Sequence, residues 1–85
     1  MIRDVPLSRE AAVKVARGLT PPQRYRLWVA KDVTGAVAIR QARALARRWL
    51  VRLTPCRDGY WTVTPTARGR SVRAVIYCGE VMESA

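Results

Sequence analysis

Apolar positions along this chain recur with the period of a helix, then of a strand, then of a helix again. Ala12, Val15, Ala16 and Leu19 fall at helical spacing. Ser8 stands ahead of them as an N-cap, and Glu10 falls in the first turn, where the helix dipole favours an acid. Leu7 is placed to staple onto Ala12, and Gly18 closes this first helix. The residues before it, Met1 to Leu7, read as an irregular or extended arm ended by Pro6. Thr20-Pro21-Pro22-Gln23 is a second start signal. Thr caps, Pro takes the first helical position, and Gln three residues past the cap completes a capping box. This second helix is expected to reach Ala30 or Lys31, with Leu27 and Trp28 in the core and Tyr25 and Val29 at its margins. Asp32-Val33-Thr34-Gly35 breaks it.

The spacing predicts a third helix from Ala36 to Trp49 or Leu50. At about 100° per residue, Ile39, Ala42, Leu45, Ala46, Trp49 and Leu50 share one face. The opposite face carries Val37, Arg40, Gln41, Ala44, Arg47 and Arg48, with Arg43 on the border. Such a helix packs on one side and meets something acidic on the other. Val51 to Thr54 then reads as a strand. Pro55-Cys56-Arg57-Asp58-Gly59 reads as a hairpin loop with Asp-Gly as its turn signal. Tyr60-Trp61-Thr62-Val63 is the returning strand, rich in β-formers. Thr64-Pro65 restarts a helix by the same capping logic, expected to run to about Met82 with Gly69 and Gly79 as weak points. Its apolar residues, Val72, Ala74, Val75, Ile76, Cys78, Val81 and Met82, cover more than one face. That breadth points to a second buried side, and so to a homodimer through the helix at 65–82. Trp28, Trp49 and Trp61 read as core.

The fold class expected is therefore mainly α with a small β-hairpin, in one domain spanning 1–85. A chain of 85 residues buries only about 60–65% of its unfolded surface, so its stability is modest.

Charge sharpens the picture. Sixteen Lys and Arg against six Asp and Glu give a net charge of +10. On so small a surface, that excess attracts polyanions. Nucleic acid is the leading partner, with an acidic membrane surface or acidic protein behind it. A GC-rich coding sequence would explain why Lys14 and Lys31 are the only lysines. It would not explain the shortage of acids.

Catalysis and metal chemistry find little footing. The chain has no His and two Cys, Cys56 and Cys78, without zinc-ligand spacing. Both read as free thiols of a reducing cytosol. The acids are scattered, no serine has an evident base, and no glycine loop is shaped for phosphate. No metal, cofactor or small-molecule substrate is implied. No signal peptide or membrane span is read, and the expected location is cytoplasmic and nucleoid-associated.

The order helix, helix, turn, helix, two-stranded wing, helix resembles that of winged helix-turn-helix DNA-binding domains. Ala44-Leu45-Ala46-Arg47-Arg48-Trp49-Leu50-Val51 resembles the "ALxRRGLV" stretch that ends the reading helix in MarR-like regulators. Asp58 to Arg70 is similar to their "DGxWxLTPxGR" wing and wing-to-helix junction, and Leu19-Thr20-Pro21-Pro22-Gln23 to the "LTPAQ" opening of compact actinobacterial and phage members. The likeness runs from about Leu19 to Arg70. Trp49 stands where that family has Gly, and the chain lacks room for the long dimerisation helices of the larger regulators. A compact phage or accessory DNA-binding protein fits the length.

The resemblance implies double-stranded DNA as partner. The helix at 36–50 would enter the major groove, and the wing at 51–63 would meet the backbone. Ala36, Val37, Arg40, Gln41 and Ala44 would face base edges. Arg43, Arg47 and Arg48 would meet phosphates, and Arg57 at the wing tip would reach the minor groove or flanking backbone. Thr34 and the helix N-terminus would hold a phosphate. Arg24, Arg68 and Arg70 are further phosphate candidates. Two alternatives remain open: a winged-helix protein-interaction module, such as a phage inhibitor of a host protein, and a non-specific nucleic-acid binder.

Overall fold

A computed structural model describes residues 4–77. Four helices and three strands follow in the order α1 (Arg9–Arg17), α2 (Pro21–Val29), β1 (Val33–Thr34), α3 (Ala36–Arg47), β2 (Val51–Arg57), β3 (Tyr60–Pro65) and α4 (Ala67–Tyr77). The strands form one antiparallel sheet with β3 in the centre, flanked by β1 and β2.

The helix starts follow from local chemistry. Ser8 Oγ accepts from the Ala11 N–H at 3.2 Å. At α2, Thr20 Oγ1 accepts from the Gln23 N–H, and Gln23 Oε1 accepts from the Thr20 N–H, closing the capping box. α1 ends at Gly18, as expected, in right-handed backbone (φ −80). α2 ends one or two residues earlier than expected, at Val29, with Ala30 left-handed at its C-cap (φ 48).

Four sequence expectations need correction. The hairpin expected as a two-stranded wing is part of a three-stranded sheet, because Val33 pairs with Trp61 and Thr34 with Tyr60. The link between α2 and α3 is therefore a strand docked on the hairpin rather than a tight turn. A two-residue strand is too short to leave a periodic signature.

The third helix stops at Arg47 instead of Trp49 or Leu50. Trp49 adopts a left-handed φ of 62. Its N–H donates to Ala46 O at 3.0 Å, and the Leu50 N–H donates to Leu45 O at 3.1 Å. This pair of bonds is the Schellman termination, which turns the chain out of the helix and into β2.

The strands run past their expected ends. β2 continues to Arg57, with an irregularity between Pro55 and Arg57, and β3 runs to Pro65. Thr64 and Pro65 still pair with Arg52 and Val51, so Thr66 takes the capping role at α4. Its Oγ1 accepts from the Gly69 N–H at 2.9 Å, and its carbonyl accepts from the Arg70 N–H. β2 is an edge strand. Pro55 and the irregularity beside it interrupt its free edge, which discourages pairing with another chain.

Finally, two of the three tryptophans are not core. Trp49 is 54% exposed and Trp28 39%, while Trp61 packs half-buried against the core. That core is aliphatic: Leu27, Leu45, Leu50, Val72 and Ile76 are fully buried. Val72, Val75 and Ile76 serve this chain's own interior, while Ala74 is exposed. Cys78, Gly79, Val81 and Met82, which carried the rest of the expected second face, lie outside the described residues. No helix among the described residues is long and apolar enough to cross a membrane.

Candidate nucleic-acid interface

Ala42 and Leu45 of α3 are buried against the core, so the helix turns its other side outward. That side forms an open cleft with the start of α2. It is lined by Ala36, Ile39, Arg40, Gln41, Arg43, Ala44 and Arg47 from α3 and by Thr20, Pro22 and Gln23 from α2. Six of the ten residues picked from the sequence meet there: Ala36, Arg40, Gln41, Arg43, Ala44 and Arg47. None of the described lining residues is acidic. Arg40 and Arg47 are exposed and have no hydrogen-bond or ionic partner among the described residues. Their charge faces solvent without compensation, which favours an anionic partner.

The two sides of the cleft differ in what they offer. Pro21 and Pro22 occupy the first positions of α2 and carry no N–H, and the Gln23 N–H is already taken by Thr20. The α2 terminus therefore presents no free donor at its first turn. α3 is the reverse. Its N-cap is Gly35 (φ 92), with no side-chain capping bond, so its first-turn N–H groups have no capping side chain. Such groups attract anions.

The remaining predicted residues fall elsewhere. Thr34, in β1, lies opposite Tyr60, and its Oγ1 sits close to Gly59 at the hairpin turn. Arg57 lies across from Tyr60, with its guanidinium 4.7 Å from the Tyr60 ring centroid. β1 therefore brings the hairpin tip to the head of α3. Val37 is 67% exposed at that head but does not line the cleft. Arg43 bridges the two regions, since its guanidinium stands 5.8 Å from the Trp61 ring centroid. It ties α3 to the hairpin through a cation–π contact.

Arg48 departs furthest from its expected place. Its Nη2 lies about 3.3 Å from where a Cβ on Gly18 would sit, beside the carbonyls of Lys14 and Val15. That places its charge at the C-terminus of α1, which favours a cation. The secondary phosphate candidates are similarly engaged. Arg24 Nη1 donates to Leu19 O at 2.8 Å and Ala16 O at 3.3 Å. Arg68 Nε donates to Arg48 O, and Arg70 Nη1 to Pro65 O. Arg73, which sequence reasoning did not single out, donates from Nε to Trp28 O at 2.9 Å. The arginines thus divide into those that bind backbone carbonyls and those that face outward. Identical side chains leave no mark of that division in the sequence.

Asp4 is the acid whose environment is most altered. Backbone N–H groups of Ala67 and Arg68 hold its carboxyl below the usual carboxylate range, with Arg70 and Arg52 adding to the effect. It sits on the first turn of α4, where the dipole also favours a negative charge.

No protein-family model, curated protein or solved structure matches this chain.

Proposed function

We propose that the protein is a sequence-specific double-stranded DNA-binding protein of the winged helix-turn-helix kind. It acts in transcriptional control or as an accessory factor in phage recombination. One observation carries the reading: the outward face of α3 gathers Arg40, Gln41, Arg43 and Arg47 in an acid-free cleft, and Arg40 and Arg47 have no partner among the described residues. α3 lies in the major groove. Arg40 and Gln41 read base edges, Arg guanine and Gln adenine, while Ala36, Val37 and Ala44 offer apolar contact to thymine methyls. Arg43 and Arg47 meet phosphates. The wing tip, with Arg57 and Thr34 beside the α3 N-terminus, meets flanking backbone.

Selection from random duplex DNA at about 0.15 M salt, the physiological ionic strength, tests this. The expected result is one enriched motif. A palindrome or direct repeat within it would report a dimer or an array. Recovery of no motif would defeat the reading.

A second reading rests on a different observation. Tyr25 and Trp28 are exposed on α2 with ring centroids 6.4 Å apart, and aromatic side chains are favoured at protein interfaces. Under that reading the domain is a protein-interaction module, and Arg40→Ala leaves its binding intact.

A further inference from the structure

The turn that ends α3 carries a residue that suits neither its backbone nor its exposure. In a Schellman termination the left-handed position ordinarily takes glycine, and a Cβ there crowds the following carbonyl. Here the position holds Trp49, at φ 62. The indole is 54% exposed, so little burial offsets the strain. Glycine would satisfy the backbone and a polar residue the solvent. An unfavourable conformer of this sort, held by the structure around it, points to a use for the side chain.

The surroundings indicate what that use is. Trp49 forms one wall of a cleft of about 400 Å³. Buried Val51 and half-buried Ala46 and Leu53 make it apolar, and Asp4, Arg52 and Thr66 complete the lining. Ala46 lies roughly 140–160° around the helix from Gln41 and Ala44, so this cleft opens on the other flank of α3. Arg52 is exposed. Arg68 and Arg70 follow Thr66 in the first turn of α4, and their hydrogen bonds go to neutral carbonyls, which do not offset their charge. The one acid, Asp4, accepts from the Arg68 N–H at 3.2 Å.

A flat aromatic wall, an apolar lining and a net positive rim match a heterocyclic ring that carries a phosphate. An apolar peptide would use the indole and leave the arginines unmatched. An acidic peptide would use the arginines and leave the flat wall unmatched.

We propose that the Trp49 cleft binds an unpaired nucleobase of single-stranded nucleic acid, with the base stacked on Trp49 and its phosphate on Arg52. The site is separate from the α3 face and does not depend on the duplex reading.

Fluorescence anisotropy on the full chain tests it, with two probes: a labelled single strand of roughly seven nucleotides and a blunt duplex. Trp49→Gly should lower single-strand affinity about tenfold and change duplex affinity by less than about twofold, as separate sites require. Its Tm should stay level or rise, because glycine suits the turn. Trp49→Tyr should keep most of the single-strand affinity. Arg40→Ala should show the opposite pattern, losing duplex and sparing single strand, so the two readings fail separately. Single-strand binding by Trp49→Gly at the parent's strength would overturn the proposal. So would a clear drop in its Tm, which would make Trp49 a packing residue. A parent chain that ignores the single strand would also overturn it and leave a protein partner for the indole.

Discussion

Thr66 Oγ1 donates to the carbonyl oxygen of Trp49 at 2.7 Å. Thr66 Oγ1 itself accepts from the Gly69 N–H at 2.9 Å, so one hydroxyl caps α4 and clamps the turn that ends α3. Thr66→Val keeps the shape and removes both bonds. The expected loss is about 1–2 kcal/mol, the usual worth of a cap with one added hydrogen bond. Urea denaturation measures it. An unchanged midpoint would mean that the hydroxyl holds neither partner.

Gly69 was expected to weaken α4. The structure gives it another role, since it is buried with the backbone of Leu50 against it. A Cβ on Gly69 would run into the Leu50 carbonyl, and the Thr66 N–H bonds that same carbonyl oxygen. Backbone cannot yield as a side chain does. Gly69→Ala should therefore destabilise by about 3 kcal/mol, although alanine is the better helix former. Thermal unfolding of the variant at or above the parent Tm would contradict that close approach.

The division among the arginines can be measured. Arg24 holds the carbonyls of Ala16 and Leu19, so Arg24→Ala should cost about 1–2 kcal/mol of stability and leave the salt dependence of DNA binding unchanged. Arg47 faces solvent, so Arg47→Ala should leave stability within about 0.5 kcal/mol and reduce the salt slope by about one. A titration of duplex affinity against salt, run beside denaturation curves, separates the two. Loss of slope from Arg24→Ala with full stability would reverse their assigned roles.

Arg40→Ala should cost about 1–3 kcal/mol of duplex affinity and relax preference at one base position. Repeating the selection with this variant checks both. An unaltered motif would mean that Arg40 reads no base.

Asp4 adds a pH dependence. Its carboxyl is held below its ordinary value of 3.8 by the N–H groups of Ala67 and Arg68. A depressed acid binds fewer protons folded than unfolded, so it contributes stability at higher pH. The contribution is present in full above pH 3.8 and is lost as pH falls through the lowered folded value. Asp4→Asn should therefore be less stable than the parent at neutral pH, and the gap should close in the acid limb. Melting curves from neutral pH to acid would show this. A gap that persists unchanged into strong acid would assign it to something other than the ionised carboxylate.

The chain order of helices and the hairpin was legible because each rests on neighbours in sequence. Ser8 caps α1 from three residues away, and Thr20 with Gln23 opens α2 within one turn. The apolar stripe of α3 was also legible in its middle, where Ala42 and Leu45 are buried as expected. Six residues of its outward face meet in one cleft for the same reason, since a helical period places them together.

Interactions that span the chain were not legible. The end of α3 depends on a left-handed Trp49, held by Thr66 seventeen positions later. The helical spacing alone carried α3 through that position. β1 exists because Val33 and Thr34 meet Trp61 and Tyr60, and that docking sets Arg57 beside the head of α3. Arg48 and Arg24 were indistinguishable from Arg40 and Arg47 until the C-terminus of α1 came within reach of the first two.

The sequence by itself determined the helix starts, the hairpin, the buried stripe and a surplus of positive charge, because these follow from local hydrogen bonding, periodicity and composition. Only the tertiary structure decided which arginines face outward, where α3 stops and which tryptophans stand in solvent. Each depends on a backbone carbonyl, hydroxyl or strand brought near by the fold, and no local pattern encodes the distance to a partner many residues away.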